Sequence, residues 1–283
     1  MKKILKYLLK KLFFKYSHKT KDNSQPMIIF NDWIGKNIIL NGFYEKETVD
    51  VIIKSLDFNP RKFLCIDVGA NIGNHTLQFQ KYFKKIIGFE PQNKTFQILK
   101  LNTENYLNIS IYNFGIAQKD DLITFYIPNK NIGSASQKKT RNSHYKEKVE
   151  IKNYDKLFDQ ECSYIKIDVE GNELDVIKGM KNTIINYKPV ISFEMRDYDN
   201  KSKLDLLNAF KELGYIDFYV PKEHFIESLI KSNNSLALLF KRMIILLFNQ
   251  KNDGLSKINI LNQNKDYSLI TTFNVESKFK IKF

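Results

Sequence analysis

Residues 66–76, "IDVGANIGNHT", come directly after an apolar run and lead into a segment with helical spacing. A short strand that ends in Asp-Val-Gly and turns at once into a helix is typical of the first βα unit of a doubly wound sheet. Ligands of such sheets bind beyond the carboxyl ends of the strands. Gly69 and Gly73 lack a Cβ atom, so the chain can adopt φ > 0 there and a ligand can approach the backbone. The stretch therefore predicts an α/β fold with a ligand crevice.

The glycine spacing argues against a dinucleotide site. The fingerprint G-x-G-x-x-G would need glycine at positions 71 and 74, where this chain has Asn71 and Asn74. The next apolar run, "KKIIGFEP", reaches Glu90, where a carboxylate can accept hydrogen bonds from the hydroxyls of a ribose. These features together indicate S-adenosylmethionine, which contains an adenosine but no phosphate. The alternative is a tight βα turn followed by a surface glutamate.

The rest of the chain predicts a mostly parallel sheet with helices on both faces. Further apolar runs end at Asn113, Ile167 and Phe193, and most are separated by enough residues for one helix. The pattern changes over residues 118–152, which predict an inserted hairpin with a polar tip, and over residues 224–264, which predict a second insertion. The run "YSLITTF", residues 267–273, predicts the last strand.

The N-terminal residues 1–19 contain seven lysines and no acidic residue, and their apolar residues recur at helical spacing. This predicts a basic amphipathic helix, with a linker to about residue 25. It would lie on an anionic membrane surface or pack on the domain of residues 26–283. The chain has a net charge of +14, which favours an anionic partner: a nucleic acid, a phosphorylated glycan or an anionic membrane surface. No signal-peptide pattern is present, so the expected location is cytoplasmic, peripheral to the inner face of the plasma membrane if the helix binds lipid.

The sequence offers no ligand set for a transition metal. Cys65 and Cys162 lie in apolar runs, and the four histidines are scattered. A reduced compartment fits this cysteine usage. No metal is therefore predicted.

Together with "FEP" at residues 89–91 and "YIKIDVEGNELDVIKGM" at residues 164–180, the opening stretch resembles the FkbM family of S-adenosylmethionine-dependent methyltransferases. The resemblance extends over about residues 43–195. It implies a class I methyltransferase fold, Rossmann-like, with a mostly parallel seven-stranded sheet whose last strand is antiparallel. It also implies O-methylation of a sugar, a polyketide or a similar hydroxyl compound.

The same resemblance implies a set of cofactor-binding residues. Residues of the loop after the first core strand would line the methionine end of the cofactor, Glu90 would bind its ribose, Ala117 would lie near its adenine, and Glu45 would close over it. The full expected set is Glu45, Asp67, Gly69, Asn71, Gly73, Asn74, Glu90 and Ala117.

Asp168 and Glu170 are the predicted catalytic acids, because they stand where a strand meets its loop. Methyl transfer from a sulfonium is an in-line displacement, so the acceptor oxygen must be held near the methyl carbon, and a carboxylate can take its proton. We expect Asp168 to orient or deprotonate the acceptor, with Glu170 as its partner and His75 as a second base candidate. The alternative for both acids is capping of the next helix. The resemblance also marks Glu173 and Glu194, of which Glu173 is expected to be structural.

The sequence thus favours an S-adenosylmethionine-dependent methyltransferase acting on a hydroxyl of a surface or lipid-linked glycan. Alternatives are a methyltransferase for another small molecule or a lipid, a hydride-transfer enzyme, and a non-catalytic membrane-associated module. A nucleic-acid methyltransferase suits the positive charge, but Asp-Val-Glu-Gly at residues 168–171 stands where adenine-modifying enzymes have Asn/Asp-Pro-Pro-aromatic. No nucleic-acid partner is therefore expected.

Overall fold

The computed structural model describes residues 35, 38, 42–128, 143–195, 198–221, 254–258 and 267–282. The predicted N-terminal helix, the boundary near residue 25, the tip of the inserted hairpin and most of residues 224–264 lie outside these ranges. Within the ranges, no helix is both long enough and apolar enough to cross a membrane.

The larger of two sheets contains eight strands and forms the centre of the described structure. Its strands are β1 (Leu64–Val68), β2 (Lys85–Phe89), β3 (Ile109–Tyr112), β7 (Cys162–Ile167), β8 (Val190–Met195), β9 (Phe218–Pro221), β10 (Leu255–Ile258) and β11 (Tyr267–Thr272). Their spatial order is β10-β9-β11-β8-β7-β1-β2-β3.

The second sheet has three strands, β4 (Gly115–Ile116), β5 (Asp121–Pro128) and β6 (Ser143–Lys152), in the order β4-β6-β5. Strands β5 and β6 pair antiparallel along their whole length, which confirms the hairpin predicted over residues 118–152. The described helices are α1 (Lys46–Lys54), α2 (Asn74–Phe79), α3 (Asn93–Thr103), α4 (Tyr154–Leu157), α5 (Glu173–Gly179), α6 (Lys181–Tyr187) and α7 (Asn200–Glu212).

The strand directions confirm the predicted fold class. Strands β3, β2, β1, β7 and β8 are parallel neighbours, and β11 runs antiparallel between β8 and β9. Beyond the seven expected strands, β10 adds an eighth, antiparallel to β9. It falls inside the predicted insertion of residues 224–264. Its sequence, "LSKI", has only two apolar residues and stands inside a segment without a regular pattern, so only the pairing with β9 reveals it.

The central strands are buried on both faces, as expected for a parallel sheet covered by helices. All five residues of β1 are buried, and they alternate between two cores: Ile66 and Val68 pack in one, and Cys65 in the other. Strand β7 follows the same alternation. Because Asp67 pairs with Lys166, these two charged residues share one face of the sheet.

Candidate functional site

The carboxyl ends of four parallel strands meet at one edge of the large sheet. The pairing register aligns the final residues of β1, β2 and β7 with each other and with the corresponding part of β8. The residues that follow along each strand therefore occupy neighbouring positions at this edge; they are Gly69, Glu90, Asp168 and Glu194. The sheet thus brings together the acids and the first loop glycine that the sequence singled out.

Glu90 is buried against the loop that follows β1. Its Oε2 atom accepts a hydrogen bond from the Asn71 N–H at 3.0 Å, and its Oε1 atom accepts one from the Gln92 N–H at 2.9 Å. Burial raises the pKa of Glu90 to about 7, although these two amides oppose the rise. Glu90 is thus held beside the loop of residues 69–73, where a ribose-binding acid is expected.

The two loop glycines adopt the predicted backbone conformation, with φ of 80° at Gly69 and 94° at Gly73. The space beside them, however, is filled by protein. A Cβ atom on Gly69 would lie 1.8 Å from the carbonyl oxygen of Asp168, and one on Gly73 would lie 3.0 Å from Cδ1 of Leu99. The missing side chains thus allow the loops after β1 and β7 to touch and α3 to pack closely. The approach of a ligand to the backbone of this loop stays a prediction.

Asp67 lies beneath the loop rather than on its surface. Its side chain is fully buried, and its Oδ2 atom accepts a hydrogen bond from the Thr76 hydroxyl at 2.6 Å. Its Oδ1 atom is 3.4 Å from Nζ of Lys166. These contacts fix the start of α2 against β1. Asp67 thus supports the loop from below, and the structure gives it this role whether or not it reaches the cofactor.

Lys166 is a site residue to which the sequence analysis assigned no role. Its ammonium lies 3.2 Å from Oδ2 of Asp168 and donates a hydrogen bond of 3.2 Å to the Gly69 carbonyl, while only 1% of the residue is exposed. Burial alone would lower the pKa of Lys166, but Asp168 and Asp67 outweigh it and the pKa is raised. The available signal was a single lysine inside the apolar strand "CSYIKI", since buried lysines are rare unless they are paired.

Asp168, Glu170 and Glu194 present carboxylate oxygens that all lie within 4.8 Å of one another. Burial would raise the pKa of Asp168, but the Lys166 charge and a hydrogen bond with Glu194 hold it below its usual value. Glu170 takes the left-handed conformation with φ of 53°, which is costly outside glycine and often marks a functional site. An acidic cluster alone does not define a cation site, so the expectation that no metal is needed stays a prediction.

Glu173 holds the loop that carries Asp168 and Glu170. Its Oε1 atom accepts hydrogen bonds from the Val169 N–H at 3.2 Å and the Gly171 N–H at 3.3 Å, and its Oε2 atom accepts one from the Tyr198 hydroxyl. This confirms the expected structural role of Glu173. The N-cap position of α5 is Asn172, so neither of the two predicted catalytic acids occupies it.

Asn74 and His75 hold the segment before α1 against α2. The Asn74 side chain accepts a hydrogen bond from the Tyr44 N–H at 2.9 Å and donates one of 3.0 Å to the Tyr44 carbonyl. Nε2 of His75 lies 3.4 Å from Oε2 of Glu45, which itself has φ of 54°. Both side chains are buried, and the contacts recorded for them are with the protein. The structure therefore places Glu45 beside the start of α2 and gives Asn74 and His75 a role in keeping it there, while closure of Glu45 over the cofactor stays a prediction.

Ala117 is buried at the end of β4, where its N–H donates to the Lys152 carbonyl at 3.0 Å. Its carbonyl lies against α5, because a Cβ atom on Gly179 would be 2.2 Å from the Ala117 oxygen. The preceding Asn113 side chain donates to the Glu90 carbonyl at 2.9 Å. Ala117 thus follows a segment that is tied to the Glu90 loop.

The family model described as "Methyltransferase FkbM domain" matches residues 67–216. A predicted methyltransferase of Dictyostelium discoideum is 37% identical over 79 residues, which are 28% of this chain and 27% of that protein. The match thus spans little more than a quarter of the relative's length.

Two solved structures were also found to be similar. The FkbM methyltransferase of Methylobacillus flagellatus is 19% identical, with 57% of this chain and 40% of that chain covered and a TM-score of 0.43. A predicted methyltransferase of Streptococcus mutans in complex with SAH is 13% identical, with 79% and 94% covered and a TM-score of 0.43. No functional argument rests on likeness at this level. Because the family model covers more than half of the sequence, the chain belongs to the FkbM methyltransferase domain family.

Proposed function

We propose that this protein is an S-adenosylmethionine-dependent O-methyltransferase whose acceptor is a hydroxyl of a sugar or glycan. The observation that carries the proposal is the position of Glu90. Its buried carboxylate accepts a hydrogen bond from a backbone amide of the loop after β1. Glu90 and Asp168 follow the carboxyl ends of the two parallel strands that flank β1. In the proposal, Glu90 binds the ribose and Asp168 orients the acceptor from nearby positions at this edge of the sheet. The choice of a glycan acceptor rests on the family resemblance.

The described residues fit this cofactor. Each Glu90 oxygen accepts one amide hydrogen bond and keeps a lone pair for a ribose hydroxyl. The side-chain amide nitrogen of Gln92 is buried and has no hydrogen-bond partner in the described part of the chain, so it can donate to a ligand. The carboxylates beyond β7 and β8 suit a cationic ligand group. When bound, the cofactor supplies an electrophilic methyl group next to these acids.

Asp168 performs the central step in this proposal. Its carboxylate accepts a hydrogen bond from the acceptor hydroxyl and so orients the oxygen for in-line attack on the methyl carbon. With the cofactor bound, the carbon–oxygen bond would form as the carbon–sulfur bond breaks, and the electron pair would stay on sulfur. The hydroxyl proton passes to Asp168. A weakly basic carboxylate is sufficient, because an oxygen that has gained a methyl group is strongly acidic until it loses its proton.

We also propose that the acceptor is lipid-linked or destined for the cell surface, and that the enzyme works on the cytoplasmic side of a membrane. The support is the sequence of residues 1–19, with seven lysines and no acidic residue. Deletion of residues 2–19 should release the protein from vesicles that contain anionic lipid, while its affinity for S-adenosylhomocysteine stays unchanged. Unchanged vesicle binding would contradict this part of the proposal.

The cofactor proposal is tested by calorimetry with S-adenosylhomocysteine and NAD. We expect the first to bind and the second not to bind. Glu90→Gln should weaken binding roughly tenfold or more, because a hydrogen bond to a charged group is worth about 1.5–3 kcal/mol. The matched control is Glu104→Gln, at an exposed position after α3, which should bind like the wild type. If the wild type does not bind S-adenosylhomocysteine, the proposal is wrong.

The acceptor is tested by mass spectrometry of the host's glycans with and without the gene. We expect a methyl group to be lost from a glycan on deletion, to return with the wild-type gene, and to stay absent with Asp168→Asn. Cofactor binding together with an unchanged glycan profile would refute the glycan acceptor and leave the cofactor assignment intact.

A further inference from the structure

The ammonium of Lys166 touches both loops that the proposed reaction requires. It donates a hydrogen bond to the Gly69 carbonyl in the cofactor loop at 3.2 Å, and it lies 3.2 Å from Oδ2 of Asp168 in the acceptor loop. It is also 3.4 Å from Oδ1 of the buried Asp67. One buried cation thus joins the two motifs, although Lys166 and Gly69 are 97 residues apart in the sequence.

We propose that Lys166 is a positioning residue that fixes the Asp168 carboxylate relative to the cofactor loop. This inference rests on the proposed function, because it takes Asp168 as the acceptor-orienting group. Lys166 does not itself contact the reacting atoms in the proposal; it acts through Asp168 and Gly69.

The backbones of the two loops are already fixed to each other without Lys166. The Asp168 N–H donates to the Val68 carbonyl at 3.0 Å, and the Asp168 carbonyl fills the space beside Gly69. These contacts set the position of the Asp168 main chain, but they leave its side chain free to rotate. Two side chains constrain the carboxylate: Glu194 shares a hydrogen bond with it, and the Lys166 ammonium holds one of its oxygens at ion-pair distance while also bonding to the cofactor loop.

The charge of Lys166 is as important as its position. The other titratable groups close to this pair are Asp67, Glu170, Glu194 and His75, together with Glu90 across the cofactor loop. Without the cation, the carboxylates of Asp67 and Asp168 would share a poorly hydrated space, and the negative charge of one would disfavour ionisation of the other. Asp168 would then take up a proton more readily and would no longer accept a hydrogen bond from the acceptor. The same cation also favours the charged form of Glu90.

The test compares wild type with Lys166→Met, which keeps the length of the side chain and removes its charge. The matched control is Lys156→Met. Lys156 also forms an ion pair with an aspartate, Asp120, at 3.1 Å. Its side chain, however, is 61% exposed, and Asp120 does not belong to the site. The measurement is a pH titration of the Asp168 carboxyl carbon by ¹³C NMR, with its signal assigned through Asp168→Asn. Calorimetry with S-adenosylhomocysteine between pH 6 and 8 is run on the same samples.

We expect Lys166→Met to raise the titration midpoint of Asp168 by about one pH unit or more, because an opposite charge within hydrogen-bonding distance shifts a carboxyl pKa by roughly 1–3 units. The pH at which S-adenosylhomocysteine binding is half-maximal should also move upward, through Glu90. Lys156→Met should leave both values unchanged. A folded Lys166→Met protein with wild-type values would overturn the inference.

A purely structural role is separated from a positioning role by a second variant. If Lys166→Met does not fold, Lys166→Met with Asp67→Asn removes the cation and one anion together, so the net charge of the cluster is the same as in wild type. The amide oxygen that Asp67→Asn introduces can still accept the hydrogen bond from the Thr76 hydroxyl, so the start of α2 stays attached. The Asp168 midpoint should again move upward, by less than in the single variant because one neighbouring anion is also gone, and the absence of any rise counts against the inference. A wild-type protein that does not bind S-adenosylhomocysteine would contradict the proposed function itself, which is a different outcome from an unchanged Asp168 midpoint.

Discussion

Replacement of Gly69 by alanine should destabilise the protein far more than the same replacement at Gly171. Both glycines have positive φ, 80° and 95°, so alanine pays a similar backbone cost at either position. That cost is about 1–2 kcal/mol for a residue in the left-handed region. The two positions differ in what a Cβ atom would meet. At Gly171 nothing lies within 4 Å, whereas at Gly69 the Asp168 carbonyl oxygen would be 1.8 Å away.

The magnitude at Gly69 follows from this distance. Carbon–oxygen contacts in proteins are normally about 3.3–3.6 Å, so the loop after β7 would have to move by more than an ångström. The obstacle is backbone, and it is held by the hydrogen bond from the Asp168 N–H to Val68 at 3.0 Å. We therefore expect Gly69→Ala to cost at least about 4–5 kcal/mol, the range of the most damaging single substitutions. A typical domain has a total stability of only about 5–15 kcal/mol.

The assay is thermal unfolding followed by circular dichroism, with calorimetric binding of S-adenosylhomocysteine on the same samples. A difference of about 3 kcal/mol between the two variants corresponds to a difference in Tm of roughly 6–12 °C for a domain of this size. Gly171→Ala should remain folded. Equal losses of stability at the two positions would show that the loops after β1 and β7 are not in backbone contact, and the arrangement of the site would be refuted.

Four further outcomes are expected. Affinity for S-adenosylhomocysteine should rise as the pH rises through about 7, because burial raises the pKa of Glu90 to about 7 and ribose hydroxyls favour its charged form; calorimetry that shows no pH dependence contradicts this. The sign for stability is opposite: ionisation of Glu90 costs more in the folded chain than in the unfolded one, so its contribution falls as the pH rises from about 4.5 to 7. Tyr198→Phe removes a hydrogen-bond donor to the buried Glu173 and should lower the free energy of unfolding in urea by about 1.5–3 kcal/mol. An unchanged urea midpoint would show that this hydrogen bond does not support the loop. Treatment with EDTA should leave cofactor binding and the transfer of labelled methyl groups to a glycan extract unchanged, whereas a loss that Mg²⁺ restores would establish a metal requirement for the carboxylate cluster.

The sequence predicted the local features of the site because they depend on neighbouring residues. Gly69 and Gly73 have the expected positive φ, since a βα turn of this kind needs a residue without a Cβ atom. Apolar runs bounded by polar residues located the strands, and their ends located Glu90 and Asp168. The hairpin of residues 118–152 was visible for the same reason.

The neighbours of these residues could not be predicted. The sequence analysis explained Gly69 by the approach of a ligand, and it gave no sign that the Asp168 carbonyl lies where a Cβ atom of this residue would be. The hydrogen bonds of the Asn74 side chain to both backbone groups of Tyr44 were likewise not foreseen, and its place at the cofactor stays a prediction. Such contacts depend on how segments far apart in the chain are packed, which no local pattern records.

The amino-acid sequence by itself determined which residues end each strand, where the backbone must turn and to which family the chain is similar, because hydrophobic periodicity and glycine positions are local properties. Only the tertiary structure decided which charged groups meet. Lys166 lies between Asp67 and Asp168 because β1 and β7 are adjacent and in register, and its side chain is directed by the alternation of the strand. Burial then sets the pKa values of these groups, and burial is a property of the packed sheet and its covering helices rather than of any one segment.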